Sequence, residues 1–217
     1  MPAAELRHFV PPALEIDERD GTSWVGLLPF AMTGVSARGV PDLPWVSAFP
    51  EMNLRLYVAY KDKPGIWFVS LDASNSAAVA TARVLAHLPY FWASMRVMVD
   101  GPRIRYTSTR LSARRRVVFR GTYWPAEPVY EAVPQSLESF LAERYCLYTQ
   151  SPRGTLERIQ VHHWPWPLQR AEADIELNTV ASAQGIALPT GPPLLHYARR
   201  LDVVGWGREA LGPAFTG

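Results

Sequence analysis

Few side chains in this chain can do chemistry, and their spacing limits what that chemistry is. Arg83 stands six residues before Pro89, and Tyr90 follows that proline directly. A guanidinium suits planar carboxylate or carbonyl oxygens. A tyrosine donates a hydrogen bond, but with an ordinary pKa of about 10 it is a poor base without help. Glu51 immediately precedes an alternating segment, and a carboxylate there is able to pair with Arg83 or to act as acid or base. Arg144 and Cys146 alternate onto one strand face, where the arginine can lower the thiol's pKa; a lone cysteine equally serves as a small core residue. His162 and His163 are adjacent, so on a strand they face opposite sides and cannot chelate one metal together. One of them is expected in a pocket wall and the other at the surface. A metal site would need one of them to meet His196 and a distant carboxylate. With no HxH, HxxxH or HExxH and no cysteine pair, no metal is expected. Glycines form neither GxGxxG nor GxxxxGK, so no phosphate loop and no cofactor are expected either.

The chain has two lysines, Lys61 and Lys63, on either side of Asp62 in Lys61-Asp62-Lys63-Pro64-Gly65, which reads as a hairpin turn. An amine nucleophile must be largely neutral near pH 7, which takes burial or a cationic neighbour. An exposed turn supplies neither.

The elements that position these groups are mostly strands. Gly21–Phe30 is apolar and β-prone, and Asn53–Tyr60 alternates, with Leu54, Leu56, Val58 and Tyr60 on one face. Ile66–Leu71 returns from the turn. Asp72, Ser74 and Asn75 can each cap a helix over about 76–88, in which Ala80, Val84 and Leu88 form a stripe; its alanines suit close burial inside a β-shell. Pro89 ends it. Strands are predicted over 91–99, 103–110, 116–124, 144–149, 156–163, 168–177 and 194–204, with short helices near 136–141 and 178–184. Arg103–Arg110, polar on both faces, is expected at an edge or wet surface. The segment from Gly34 to Pro50, carrying Trp45 and Phe49, reads as a long loop pinned by its aromatics; the rigid Trp164–Pro167 segment is expected over a barrel mouth or at a subunit contact, and the tail from Gly207 as loose.

At 217 residues with 48% apolar and 19% charged residues, the chain can bury a sizeable core. One domain over 1–217 is expected. Its net charge of +2 leaves no concentrated basic face, and Arg114–Arg116 alternate along a strand, so no nucleic-acid partner is expected. The single cysteine allows no intrachain disulfide. No window holds the roughly 18 apolar residues a bilayer span needs, and the first residues lack a basic segment followed by an apolar run. The expectation is a soluble cytoplasmic protein with no membrane partner.

Six stretches together resemble the YqjF-like family of bacterial proteins: WVGLLPF, FPEMNLRLYV, the strand–SLDA–alanine helix–LPY block over 66–95, SLESFLAERYCLY, HHWPWPLQ and PLLHYARRLDV. That family is similar in fold to acetoacetate decarboxylase. The resemblance implies an α+β fold: a mostly antiparallel β cone or barrel around a cavity, with one main helix. Acetoacetate decarboxylase carries Gly-Arg-Glu followed by Phe-Pro-Lys-Lys; its first lysine forms a Schiff base and the second lowers that amine's pKa. Arg83 and Pro89 fall at the matching spacing, but Tyr90 and Phe91 occupy the lysine positions, and Glu51 matches an acidic position of the decarboxylase site. A phenol cannot condense with a ketone, so Schiff-base decarboxylation is not expected.

Three functions remain open. The first is a pocket protein for a small carbonyl- or carboxylate-bearing ligand, lined by Glu51, Arg83 and Tyr90, with Arg144 and His162 as further candidates. The second is a lysine-independent decarboxylase, isomerase or hydrolase using Tyr90 or Glu51. The third is a structural or oligomerisation module, since the aromatic loops suit a homo-oligomer.

Overall fold

The structure is a computed structural model that describes residues 1–34, 48–111 and 116–214. The chain enters through α1 (Ala3–Leu6) and a 3₁₀ turn (Arg7–Phe9), then the short strands β1 (Glu15–Ile16), β2 (Glu18–Arg19) and β3 (Thr22–Ser23). The main strands are β4 (Val25–Met32), β5 (Phe49–Tyr60), β6 (Lys63–Ala73), β7 (Tyr90–Asp100), β8 (Arg103–Arg110), β9 (Val118–Pro125), β10 (Cys146–Gln150), β11 (Thr155–His163), β12 (Gln169–Asn178), β13 (His196–Tyr197) and β14 (Val203–Pro213). Between them lie α2 (Ser76–Leu85), α3 (Leu137–Ala142) and α4 (Val180–Ala183). No helix among the described residues is long and apolar enough to cross a membrane.

Twelve strands form one sheet that forks at β6. One edge of β6 is taken along its length by β5, from Glu51↔Ala73 to Tyr60↔Lys63. Its other edge is shared: Ile66 and Trp67 run parallel to β10, and Leu71–Ala73 run parallel to β7. Two leaves diverge from this point, β7-β8-β9-β12-β13 and β10-β11-β14. Both contribute to one core, in which Leu54, Leu56, Tyr106, Phe119, Tyr148 and Leu156 are buried. The result is cone-like, with free edges rather than a closed wall. Gly65 sits at the fork because nothing larger fits: a Cβ there would lie 2.7 Å from the Cys146 carbonyl oxygen.

A smaller apolar cluster of Phe49, Ala73 and Val79, with Met32, Ala78 and Tyr90 packed against it, lies under α2. Asn75 caps α2 by accepting a hydrogen bond from the Ala78 N–H at 3.0 Å. The helix stops at Leu85, and His87 turns the chain at φ +52° before Pro89. That turn is tied down: the His87 Nδ1 lies 2.7 Å from Glu157 Oε2, and Arg208 Nη1 donates to Glu157.

Five expectations are corrected. The helix is not enclosed by the sheet; it lies outside it, and only Val79 is buried while Val84 and Leu85 are exposed. Of the two readings of Arg103–Arg110, the edge is excluded, because β8 lies between β7 and β9, while its outward face, with Arg103 and Arg105, is exposed. Two of its inward polar groups are bonded there: Tyr106 reaches backbone carbonyls and Arg110 a carboxylate. The last strand is not 194–204, and the tail beyond Gly207 is not loose. Residues 203–213 form β14, which pairs with β11 from Val203↔His163 to Pro213↔Thr155. Glycines 205, 207 and 212 hide this strand from a propensity reading, but the backbone ladder needs no side chain. Phe49 opens β5 rather than sitting in a loop, and Trp45 lies outside the described residues.

Candidate functional site

Glu51 is locked on both backbone edges, opposite Phe30 of β4 and Ala73 of β6. Directly paired strand residues share a face, so its side chain points with Ala73 toward the cluster beneath α2. Tyr90 opens β7 beside Leu71, two residues from Ala73 on β6 and thus on that same face. Its hydroxyl donates to Glu51 Oε2 at 3.0 Å.

Burial dominates the electrostatics of this pair. Glu51 is 3% exposed, and desolvation pushes its carboxyl up to about 7, with the Tyr90 hydrogen bond acting weakly the other way. The Tyr90 phenol is raised far above its ordinary value, by burial first and then by the Glu51 charge beside it. Near neutrality Tyr90 is therefore a fixed hydrogen-bond donor, while Glu51 exchanges a proton.

Arg83 approaches the pair from outside. Its Nε donates to the Tyr90 carbonyl oxygen at 2.6 Å, and its guanidinium carbon lies 5.7 Å from the Phe91 ring centroid. The residue is exposed, and its bond is to Tyr90's backbone, not to the Glu51 carboxylate.

The opposite face of the same strands carries a second polar group. Asp72 pairs with Met52 and Phe91, so it points away from Glu51 and into the core between the leaves. Arg110 Nε donates to Asp72 Oδ1 at 2.7 Å, and Arg110 Nη2 donates to Ser70 Oγ at 3.1 Å. The Arg110 guanidinium also lies 3.9 Å from the Phe91 centroid. Burial raises the Asp72 carboxyl, and the charge of Arg110 works against that. Among the described residues, Asp72 Oδ2 and Ser108 Oγ are buried without a hydrogen-bond partner. Tyr106 links the two faces: its hydroxyl lies 2.7 Å from the Glu51 carbonyl oxygen and 3.1 Å from that of Phe30.

The sequence reading missed Asp72 as anything but a helix cap, and Arg110 as anything but a neighbour of a basic run. The available signal was the period-two polar row Tyr106, Ser108, Arg110, since polar side chains on one buried face of a strand generally find partners inside the protein, as Tyr106 and Arg110 do.

The remaining candidates lie elsewhere. Arg144 is buried against the rings of Phe140 and Tyr57, pairs with Asp17, and donates from Nε to the Phe140 carbonyl at 2.7 Å. It clamps α3 against β5 at Tyr57, six residues along the strand from Glu51. Cys146 is fully buried, burial raises its thiol, and it donates to the Pro64 carbonyl, so its environment is that of a core residue. His162 is exposed, with its ring centroid 6.3 Å from that of Trp164. His163 is the buried one, with ring nitrogens 2.8 Å from the Trp164 carbonyl and 3.3 Å from the Arg144 carbonyl. Trp164 is 77% exposed. No three His, Cys, Asp or Glu side chains gather into a metal-binding group among the described residues. Lys61 and Lys63 sit in the β5–β6 turn, roughly 30 Å of strand from Glu51.

A family model described as an uncharacterized conserved protein, DUF2071, matches residues 1–202. The chain belongs to this DUF2071 family. A DUF2071 relative, the uncharacterized protein YqjF of Bacillus subtilis (strain 168), is 47% identical over 201 residues, covering 93% of this chain and 82% of YqjF. Solved structures extend the likeness in fold. An acetoacetate decarboxylase has a TM-score of 0.61 at 16% identity, over 97% of this chain and 82% of that one. The acetoacetate decarboxylase of Legionella pneumophila gives 0.55 at 15%, over 98% and 78%. The enduracididine biosynthesis enzyme MppR, complexed with pyruvate, gives 0.60 at 14%, over 97% and 84%. This DUF2071 chain thus has the acetoacetate decarboxylase-like fold, with a phenol and a phenyl ring, Tyr90 and Phe91, after its helix-ending proline.

Proposed function

We propose that the Glu51–Tyr90 pair belongs to a binding site for a small carbonyl- or carboxylate-bearing molecule, held without a covalent bond to lysine. The observation that carries this is a buried carboxyl pushed to about 7 that accepts a hydrogen bond from the tyrosine directly after Pro89. A buried carboxyl with so large a shift is costly to keep in a purely structural role, and such groups concentrate at functional sites. Tyr90 would donate to the ligand's oxygen, and Arg83, bound to the Tyr90 carbonyl, would hold that residue in place. The structural neighbours support the ligand class by their names alone: acetoacetate decarboxylases, and an enzyme complexed with pyruvate.

Titration of pyruvate and of acetoacetate by ligand-observed NMR tests this. Saturable binding of at least one is expected, weakened about tenfold in Tyr90→Phe, as for loss of one strong hydrogen bond. Borohydride should trap no adduct. A reduced adduct on either lysine, equal binding by Tyr90→Phe, or no saturable binding of either acid would overturn it.

The Glu51 pKa of about 7 also favours a second reading, proton transfer at the carbon next to the ligand's carbonyl. The Glu51 carboxylate would take that proton, and the electrons left behind would form an enolate whose oxygen accepts from Tyr90. Exchange of pyruvate methyl protons for deuterium, lost in Glu51→Gln, separates this from binding alone.

A further inference from the structure

The opposite end of β5 and β6 holds a hollow of about 560 Å³, and it gathers both lysines of the chain. Its cations are Lys61, Lys63 and Arg158, and its carboxylates are Asp62 and Glu209. Among the described residues, one of these cations is held in a direct ion pair. Arg158 places Nε and Nη2 at 3.3 and 2.8 Å from Glu209 Oε2. Neither lysine forms an ion pair among the described residues. Lys63 Nζ donates at 3.3 Å to the amide oxygen of Gln160, a neutral acceptor, and its charge reaches Glu209 only through space, helping to lower that carboxyl. Lys61 Nζ stands 5.3 Å from the Tyr60 ring centroid, which holds the ammonium over an aromatic face rather than free in water.

The backbone adds to this. Lys61 has φ +51°, a conformation that favours glycine or asparagine in a two-residue hairpin turn. The turn closes with the Lys63 N–H donating to the Lys61 carbonyl at 2.9 Å. Floor and wall are rigid too: Tyr148 Oη donates to the Lys63 carbonyl at 2.8 Å, and Tyr60 and Leu211 give an apolar side.

We propose that this hollow is an anion site, taking a small molecule with a dianionic oxyanion head, a phosphoryl group above all, and an apolar or aromatic body. Lys61 and Lys63 supply point charges to the head, and Arg158 offers the planar fork that suits phosphate oxygens. Glu209 now occupies that fork, so the incoming head competes with it. Tyr60 and Leu211 receive the body. The site is independent of the Glu51–Tyr90 pair, which lies at the other end of the same strands.

Phenyl phosphate is the probe, titrated at low salt into the intact protein and followed by amide NMR shifts, with benzoate as the monoanionic control. Saturable shifts centred on residues 60–63 are expected, at least tenfold tighter for phenyl phosphate than for benzoate. Lys61→Gln combined with Lys63→Gln should weaken binding tenfold or more, and Glu209→Gln should tighten it at least threefold by freeing Arg158. Glu51→Gln should bind as the unaltered protein does. All these positions except Glu51 lie at the surface hollow, so unchanged thermal unfolding is the control for the lysine and Glu209 variants. No saturable shift, shifts centred elsewhere, equal affinity for benzoate, or wild-type binding by the double lysine variant would each overturn the assignment.

Discussion

At the scale of single residues, Glu51 carries a cost that depends on pH. Its carboxyl titrates near 4.5 in the unfolded chain and at about 7 when folded. Between those values the folded state holds a proton that the unfolded state has released, so stability falls as pH rises through the window and is flat above it. A shift of that size corresponds to about 3 kcal/mol. Glu51→Gln removes the titration. Denaturant unfolding measured from pH 4.5 to 7.5 should show the wild type losing stability relative to Glu51→Gln by about that amount, with most of the change between pH 5 and 7. Parallel curves would mean that the carboxyl is not desolvated. The Asp72–Arg110 pair is a different case, since each charge there has its counter-charge at 2.7 Å. Buried pairs of that kind contribute little net stability while intact and are costly to break. What their geometry secures is the inner end of β8 against β6.

At the scale of elements, the fork of the sheet decides what lies where. β6 gives half of one edge to β10 and the other half to β7, and this puts Tyr90 beside Leu71 and within reach of Glu51. Gly65 is what lets β10 come close. A methyl there meets the Cys146 carbonyl oxygen and its Sγ, both at 2.7 Å, and a ring carbon of Tyr148 at the same distance. Two of these neighbours are a fully buried cysteine and a nearly buried tyrosine, with no room to shift. Gly65→Ala should therefore destabilise by about 2 kcal/mol or more, as overpacking of a dense interior does. Denaturant midpoints at equal slope would measure it, and a change under about 0.5 kcal/mol would show that the leaves can separate locally.

At the scale of the whole molecule, β14 completes the second leaf although it lies beyond the residues the family model matches. It covers β11 along its length, and Ala214 behind it is fully buried in the main core, accepting a hydrogen bond from the Ala13 N–H and donating one to the Gly154 carbonyl. Residues 203–214 thus join the first segment to the sheet. A chain ending at Asp202 should lose cooperative thermal unfolding or aggregate, because Leu156 and Leu14 would lose cover. A sharp transition at an unchanged midpoint would show β14 to be an appendage.

Most strand positions, the Lys61–Asp62 turn and the Asn75 cap were legible in the sequence, because each depends on side chains within a few residues, through period-two alternation or a capping amide; the end of α2 was not, since the helix stops at Leu85 and His87 turns the chain before Pro89 is reached. The grouping of Glu51 with Tyr90 was legible only through resemblance to the family. β14 was not, since its three glycines carry no pattern and its stability comes from a partner strand about fifty positions earlier. Neither was the Asp72–Arg110 pair, which closes a separation of 38 residues. Local periodicity tells a strand which of its faces is buried, but not which strand will lie beside it. That choice is made by packing the leaves around one core, and the buried charges, the fork and the cationic hollow all follow from it.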